Sequence, residues 1–189
     1  EAITREAPNN VDARQELASI YLWRGWPDKA LAQYQQILTM YPEHLGARAG
    51  WTRAQLARQD YPAAAGAIKN LQKDYPGSRY DAQALQKLED CHNWLAQMHL
   101  FVGQFYYRRG SYLAAAHRFE HIIKTYPDRL VAPDALYFLA MSYHELGADV
   151  WARESLVLLA DKYPNSTAVN DGNSLLAQLG GAKPGPQLA

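Results

Sequence analysis

Residues 103–127 read GQFYYRRGSYLAAAHRFEHIIKTYP, and this stretch decides the fold. It places small residues where two helix backbones would approach each other, and large apolar residues one helical turn later. The small residues are Gly103 and Ala115, the large ones are Tyr106 and Phe119, the turn residue is Gly110, and Tyr126–Pro127 closes the segment. Because glycine adopts a positive φ at little cost and proline cannot continue a helix, the stretch predicts two helices joined by a tight turn.

The tyrosine–proline pair recurs along the chain, at residues 41–42, 75–76, 126–127 and 163–164. Pro8, Pro42 and Pro76 follow one another at intervals of 34 residues, and the next two intervals are 51 and 37 residues. A period of 34 residues is typical of the tetratricopeptide repeat, in which each repeat is a helix, a turn and a second helix.

The other positions of the opening stretch recur in the same register. Small residues, aromatic residues, turn glycines, alanines and large apolar residues each return once per repeat. The matching residues are Ala18 and Ala140; Tyr21 and Tyr143; Gly25 and Gly147; Ala30, Ala64 and Ala152; and Tyr34, Ile68 and Leu156. The repeat at residues 45–78 is the weakest, because Thr52 and Gln55 stand where a small residue and a tyrosine are expected.

Two amphipathic helices of this length cannot bury their apolar faces alone, so successive pairs stack and share one elongated core. We therefore predict an all-α fold, a tetratricopeptide-repeat solenoid of antiparallel helix pairs with one elongated helix. The predicted helices span residues 11–24, 27–40, 45–58, 61–74, 80–108, 112–125, 131–146, 149–162 and 167–179. The last of these is expected to cap the stack.

The repeat register also predicts how the chain is organised. Residues 1–78 are expected to hold a partial repeat and two full ones, residues 79–166 the elongated helix with two further repeats, and residues 167–189 the capping helix with a disordered tail. Pro8 is in phase with Pro42, so EAITREA is expected to end a second helix, and the chain is expected to begin in mid-repeat. The tail GGAKPGPQLA is rich in Gly and Pro, which favours disorder.

Composition limits the class of partner. The chain has 189 residues, 48% hydrophobic and 20% charged, so a folded protein with a core is expected. Lys plus Arg and Asp plus Glu each total 19, so no nucleic acid is indicated as a partner, and no apolar run is long enough to predict membrane insertion. The single cysteine, Cys91, excludes an internal disulfide and is expected to be a half-buried thiol on a helix.

One short motif suggests a different function. Residues 117–121, HRFEH, fit the H-x-x-E-H spacing of one class of zinc peptidases. A third ligand is still required, and the later glutamates, Glu145 and Glu154, lie in the next predicted helix pair. The repeat register accounts for Phe119 as a core residue, so we expect no metal, no cofactor and no catalytic residue.

The second half of the chain resembles a known family. The segments LEDCHNWLAQMHLFVGQFYYRRGSYLAAAHRFEHIIKTYPD and APDALYFLAMSYHELGADVWARESLVLLADKYPNS are similar to the outer-membrane assembly lipoprotein BamD (ComL) family. The resemblance covers residues 72–170 and is most specific at residues 95–126. It implies a scaffold of tetratricopeptide repeats on the periplasmic side of the outer membrane. Its implied partners are the periplasmic domains of the barrel-inserting channel and that channel's substrates, and no residue is implied to be catalytic.

Two features depart from that family. The family carries a lipidated cysteine at its mature N-terminus, whereas Cys91 lies inside a predicted helix, so lipid anchoring by this chain is not indicated. The first half, NNVDARQELASIYLWRGWPDKALAQYQ, resembles the repeats of periplasmic polysaccharide-export proteins instead. The sequence leaves open whether the protein is a divergent relative or whether two repeat segments are joined near residues 72–80.

Partner contacts are expected on the first helix of each pair, at positions that the core does not use. These positions are Gln15, Ser19, Leu22, Trp23, Arg53, Leu100, Gln104, Tyr107, Arg108, Tyr137, Met141, His144 and Glu145. Exposed aromatic residues beside arginine are typical binding anchors. The alternative is that the capping helix or the tail covers these side chains.

These observations predict a non-catalytic scaffold that binds protein segments in a concave groove during outer-membrane protein assembly. The alternative function is a polysaccharide-export module whose Trp and Tyr residues contact sugar rings or partner subunits. Self-association through the exposed end of a truncated repeat is a further possibility. The expected location is the periplasm, in association with the outer membrane.

Overall fold

The computed structural model describes residues 10–78 and 81–180, with side chains from residue 83 onward in the second range. Within these ranges the chain forms nine α-helices and no strand. They are α1 (Val11–Trp23), α2 (Pro27–Met40), α3 (Leu45–Ala57), α4 (Tyr61–Asp74), α5 (Asp81–Arg108), α6 (Tyr112–Thr125), α7 (Ala132–Glu145), α8 (Asp149–Lys162) and α9 (Ala168–Gln178). The predicted all-α fold is confirmed, and the predicted helix bounds agree to within two residues.

The helices divide between two compact units, residues 1–92 and residues 93–189, here called the N-terminal and the C-terminal unit. The elongated helix α5 contributes residues to both. The three segments predicted from the sequence, with boundaries at residues 78/79 and 166/167, follow repeat register and not compactness. That division stays a prediction.

Local sequence sets where several helices begin. The Asn10 side chain accepts a hydrogen bond from the backbone N–H of Ala13, which begins α1, and Asp60 accepts one from Ala63, which begins α4. These are N-caps, and they satisfy backbone donors that a helix start otherwise leaves unpaired. Pro27 stands in the first turn of α2, where its fixed φ suits a helix start and its missing N–H is not needed.

The first helix of each pair ends in a left-handed residue. Gly25, Gly110 and Gly147 have φ values of 72–73°, and the following residues donate backbone N–H groups back to Tyr21, Tyr106 and Tyr143. This is the Schellman arrangement, which satisfies carbonyls at a helix end. In the weakest repeat Gln59 occupies the same position with φ of 63°, and it is the non-glycine residue with positive φ in the described part of the chain.

The core of the N-terminal unit follows the predicted register. Ala18, Ala30, Tyr34 and Ile37 are fully buried, where α1, α2 and α3 pack together. Thr52 and Gln55, which depart from the repeat pattern, are buried as well, and no hydrogen-bond partner is present for the buried Oε1 of Gln55. The weakest repeat therefore keeps the backbone arrangement while carrying polar groups in its core.

Cys91 corrects one expectation. Its side chain was expected to be half-buried, but it is completely buried on α5 against Ala64, Ala65 and Ile68 of α4. The alanines bring the two helices close enough that only a small side chain fits between them. Burial raises the pKa of the thiol, which therefore stays protonated at neutral pH.

The C-terminal unit consists of the end of α5 with α6, α7, α8 and α9. Phe119, Leu136, Ala140 and Leu159 are buried in its core. The Tyr143 hydroxyl on α7 donates a hydrogen bond of 2.5 Å to Oε1 of Glu120 on α6. Helix α9 packs on both α7 and α8, so the capping helix predicted at residues 167–179 is confirmed.

Three other expectations concern membranes and chain ends. Within the described ranges, no helix is long and apolar enough to cross a membrane. The expected end of a second helix in EAITREA lies outside the described residues. Residues 181–189 of the expected disordered tail lie outside them as well.

Candidate partner-binding surface

The C-terminal unit contains a cavity of about 360 Å³. It lies between the last turn of α5, one face of α7 and one face of α9. The residues that line it are Tyr107, Tyr137, Met141, His144, Glu145, Asp171, Ser174, Leu175 and Gln178. We call this the Tyr107–Glu145 pocket. Its volume lies near the lower end of the range of about 300–1,000 Å³ that is usual for pockets binding small molecules or single side chains.

Helix α7 supplies one wall by its periodicity. Tyr137, Met141, His144 and Glu145 are spaced by four, three and one residues, which places them on one face of an α-helix. The opposite face, with Leu136, is buried in the core. The core therefore fixes which side of α7 faces the pocket.

Phe138 holds the two pocket tyrosines in place. Its ring centroid is 6.0 Å from that of Tyr107 and 5.7 Å from that of Tyr137, with edge-to-face geometry in both pairs. It also stacks on Phe119 at 5.7 Å. Aromatic pairs at these distances attract each other and restrict ring motion. The tyrosine rings are thus positioned by the core before any ligand arrives.

The pocket is acidic. Glu145 and Asp171 line it, and none of the described lining residues is Lys or Arg. The one imidazole, His144, has its Nδ1 2.7 Å from Oδ1 of Asp149 and so already has a carboxylate partner. The two remaining carboxylates give the pocket a net negative charge.

Both pocket tyrosines stay neutral well into the alkaline range. Burial raises the pKa of the Tyr107 hydroxyl, and the neighbouring Glu145 carboxylate adds to the rise. Burial also raises the pKa of Tyr137, with a further contribution from Asp171. Each tyrosine therefore has a carboxylate near it. Two such tyrosine–carboxylate pairs face one cavity.

The wall formed by α9 was not predicted. Asp171, Ser174, Leu175 and Gln178 lie outside the 34-residue register, so no repeat position marked them. The only signal available was the expected capping helix, which was predicted as a possible cover for the partner positions. The structure gives it a different place, because α9 forms one side of the cavity without filling it.

Five of the predicted contact residues line this pocket: Tyr107, Tyr137, Met141, His144 and Glu145. Three others of the C-terminal unit do not line it. Leu100 and Gln104 are half-buried on α5, and Arg108 is exposed at the C-terminal end of that helix. Arg108 there meets the negative end of the helix dipole, so its position has a structural reason of its own.

The remaining predicted residues lie in the N-terminal unit. Trp23 is 86% exposed at the end of α1, Ser19 is exposed, and Gln15 and Leu22 are half-buried on the same helix. The Ser19 hydroxyl donates a hydrogen bond of 2.9 Å to the carbonyl of Gln15. Arg53 is exposed on α3. None of these five lines the Tyr107–Glu145 pocket.

The HRFEH segment lies on α6 in its repeat role. Phe119 is fully buried, as the register predicts. The His117 side chain is largely exposed, Glu120 accepts the hydrogen bond from Tyr143, and the His121 ring lies 4.4 Å from that of His99. Within the described residues, no three His, Cys, Asp or Glu side chains are grouped so that they could hold a metal ion.

Solved structures with a similar chain course are tetratricopeptide-repeat proteins. One is a thermophilic TPR protein of Thermus thermophilus, with 20% identity, 89% of this chain and 98% of that chain covered, and a TM-score of 0.38. Another is YrrB, described as a TPR protein with an unusual peptide-binding site, with 15% identity, coverage of 92% and 96%, and a TM-score of 0.38. Both TM-scores are low, so the fold class rests on the repeat positions described above.

Curated relatives carry one name, outer membrane protein assembly factor BamD. The protein of Neisseria meningitidis serogroup A is 26% identical over 190 residues, covering 88% of this chain and 71% of the relative. That of Xylella fastidiosa is 27% identical over 180 residues, covering 84% of this chain and 61% of the relative. The chain thus spans roughly two thirds of the length of these relatives.

A family model gives the same assignment. The YfiO model, described as an outer membrane lipoprotein, matches residues 20–158. This range includes residues 72–80, where the sequence left open a junction between two segments, so both halves fall within one family match. Because the match covers well over half of the chain, the protein belongs to the YfiO family of outer membrane lipoproteins.

Proposed function

We propose that this protein is a non-catalytic scaffold that binds other proteins during outer-membrane protein assembly, at the periplasmic face of the outer membrane. Membership of the YfiO family and the name of the BamD relatives support this role. The single observation that carries the binding site is the Tyr107–Glu145 pocket. It gathers five positions that the repeat register assigns to partner contact.

The pocket suits a protein partner. Its aromatic rings are exposed on one side and fixed by Phe138 on the other, so they offer contact area at little cost in conformational entropy. Polar groups from α7 and α9 surround them. Buried rings with a polar rim are typical of the energetic centre of a protein interface. The proposed partner is the periplasmic part of the channel that inserts barrels into the outer membrane.

Calorimetric titration with the periplasmic domains of that channel tests the proposal. We expect saturable binding, weakened on the order of tenfold or more by the double variant Tyr137→Ala/Met141→Ala, because it removes the largest contact area of α7. A matched control is Leu130→Ala, which truncates a side chain that is 97% exposed outside the pocket. Absence of heat with the unmodified protein would contradict this partner. Equal weakening by the control would contradict this site.

A second contact region is proposed in the N-terminal unit around Trp23. A tryptophan that is 86% exposed contributes little to folding but offers a large apolar surface to a partner. In the same titration, Trp23→Ala is expected to weaken binding while leaving the thermal midpoint unchanged. Binding equal to that of the unmodified protein would remove Trp23 from the interface.

A further inference from the structure

We propose that the Tyr107–Glu145 pocket receives a basic side chain of the partner, an arginine in preference to a lysine. The inference rests on the proposed function and specifies the chemistry recognised at that site. The ligand is a single guanidinium side chain carried by an extended protein segment.

Charge complementarity is the first argument. Glu145 and Asp171 come from different helices, α7 and α9, and both line the same cavity with no lysine or arginine among the described lining residues. In the folded protein the carboxylates lie close enough to the tyrosines to raise the pKa of Tyr107 and of Tyr137. A guanidinium group offers five N–H donors in a plane and can bond to two carboxylates at once. The pocket therefore presents acceptors that match a cation.

The aromatic walls favour the same ligand. Tyr107 and Tyr137 line the cavity with rings that Phe138 orients. A guanidinium group stacks on such rings and is attracted by their electron-rich faces. Met141 and Leu175 supply apolar surface for the methylene stem of the same side chain. Cation, ring and stem thus each have a counterpart among the lining residues.

Other occupants fit less well. An acidic side chain would bring a third carboxylate beside Glu145 and Asp171, which repel it. A purely apolar side chain would remove water from two carboxylates and return no hydrogen bond to them. A metal ion is disfavoured because, in the described part of the chain, no three His, Cys, Asp or Glu side chains are grouped to hold one. The organic cation remains as the ligand that satisfies both the charge and the rings.

Ser174 and Gln178 extend the recognition to the backbone of the partner segment. Both are exposed polar residues on the α9 wall. A hydroxyl and an amide each donate and accept hydrogen bonds, so they suit the N–H and C=O groups that flank a bound side chain. They add affinity for the segment without selecting its side chain. The selection is left to the two tyrosine–carboxylate pairs.

Short capped peptides test the inference without the channel domains. The series is acetyl-Ala-Xaa-Ala-amide, with arginine, lysine, citrulline, methionine or glutamate at the central position. Citrulline is the matched control, because it keeps the shape and hydrogen-bonding side chain of arginine but is neutral. Binding is followed by the NMR signal of the Met141 methyl group, which lies in the pocket wall.

We expect saturable shifts of the Met141 signal with the arginine peptide and weaker ones with the lysine peptide. The affinity for citrulline should be lower on the order of tenfold, since hydrogen bonds to a charged group are the stronger ones. The glutamate peptide should give no shift. Equal affinity for arginine, citrulline and glutamate, or no saturable shift with arginine, would overturn the inference.

Two sets of variants locate the charge. Glu145→Gln together with Asp171→Asn keeps the shape of the pocket and removes both charges, and it should abolish the preference for arginine over citrulline. The control Asp128→Asn with Asp161→Asn changes the net charge equally at two exposed residues outside the pocket, and it should keep the preference. A preference retained in the first pair would place the recognition elsewhere. If that pair fails to fold, the peptide series on the unmodified protein still decides.

Failure here is distinguishable from failure of the proposed function. Channel domains that bind with full affinity to Glu145→Gln/Asp171→Asn, but weakly to Tyr137→Ala/Met141→Ala, would keep the scaffold and reject the basic ligand. An arginine-selective pocket that shows no binding to the channel domains would keep the ligand chemistry and reject that partner.

Discussion

A methyl group at position 103 would lie 2.5 Å from Cε1 of Phe119 and 2.8 Å from its Cζ. Gly103 and Phe119 therefore pack as a flat backbone surface against a ring edge, and this contact joins α5 to α6. Phe119 is fully buried and stacked on Phe138, so its ring has nowhere to move. The close approach also helps to set the position of Phe138, which in turn orients the pocket tyrosines.

Gly103→Ala is expected to destabilise the protein. The added methyl would overlap the ring of Phe119, and overpacking of a tight core costs about 1–3 kcal/mol. The measurement is the free energy of unfolding from urea denaturation. A change of less than about 0.5 kcal/mol would mean that α5 and α6 separate easily at this point.

Gly66→Ala is the matched control for this prediction. Gly66 is an exposed residue inside α4, and a methyl group there would meet no atom within 4 Å. Replacing glycine by alanine inside a helix without steric conflict is expected to stabilise by about 0.5–1 kcal/mol. Opposite signs for the two glycines would show that packing, and not helix propensity, sets the cost at position 103.

Gln59→Gly is expected to stabilise the weakest repeat. Gln59 has φ of 63° at the position where Gly25, Gly110 and Gly147 stand in the other repeats. A left-handed conformation costs a residue with a Cβ about 1–2 kcal/mol, part of which glycine loses again through its more flexible unfolded state, so we expect a net gain of about 0.5–1 kcal/mol.

The reverse change provides the control for that experiment. In Gly147→Ala, no atom lies within 4 Å of the new methyl group, so the expected loss of about 1 kcal/mol comes from the backbone conformation alone. Thermal and urea denaturation would both report it. Destabilisation by Gln59→Gly would show that the glutamine side chain contributes a contact that outweighs its backbone cost.

The tyrosines of the tyrosine–proline pairs connect successive repeats. The Tyr163 hydroxyl donates a 2.5 Å hydrogen bond to the carbonyl of Pro127, and that of Tyr75 donates a 2.7 Å bond to the carbonyl of Glu43. Each acceptor lies in the turn that follows the second helix of the preceding repeat. Tyr163→Phe is expected to cost about 1 kcal/mol by removing a part-buried hydrogen bond, and Tyr75→Phe less, because Glu43 is exposed.

Tyr41→Phe is the control for these two variants. The Tyr41 side chain is half exposed, so loss of its hydroxyl is expected to change the free energy of unfolding by less than about 0.5 kcal/mol. The urea midpoints should rank Tyr41→Phe above Tyr75→Phe above Tyr163→Phe. A reversed order would mean that these hydroxyls do not join the repeats.

Much of the fold was predictable because it depends on repeated local rules. Glycine at positive φ, alanine at close crossings and tyrosine–proline at the second helix end each have a physical reason that recurs every 34 residues. Gln59 shows why the weak repeat still folds. Its backbone adopts the conformation of the missing glycine because the neighbouring helix pairs determine where the turn must lie.

Half of the candidate site followed from the same register and half did not. Tyr137 and Met141 stand at outward positions of a first helix, so the α7 wall could be predicted. Asp171 and Leu175 lie on α9, which ends the stack and follows no repeat, so nothing local fixes which of its faces meets α7. That face is set by tertiary packing, including the hydrogen bond of 3.0 Å from Arg153 to the carbonyl of Leu179.

Alkaline pH is expected to weaken the C-terminal unit through Tyr143. Burial, together with the hydrogen bond to Glu120, raises the pKa of the Tyr143 hydroxyl far above that of an unfolded tyrosine. A raised folded pKa means that the stabilisation is complete below the unfolded pKa of about 10 and is lost as pH rises from there toward the folded value. The direction of the effect is therefore a loss of stability above about pH 10.

Tyr143→Phe should reveal this dependence. At about pH 8 the variant is expected to be less stable by about 1.5–3 kcal/mol, because it lacks a hydrogen bond to a charged acceptor. Above about pH 10 the unmodified protein loses the contribution of Tyr143 while the variant has none to lose, so the two urea midpoints should converge. Tyr41→Phe should show no convergence. A gap between the Tyr143→Phe variant and the unmodified protein that stays constant with pH would mean that Tyr143 ionises in the folded state without strain, and that its bond to Glu120 does not hold α7 against α6.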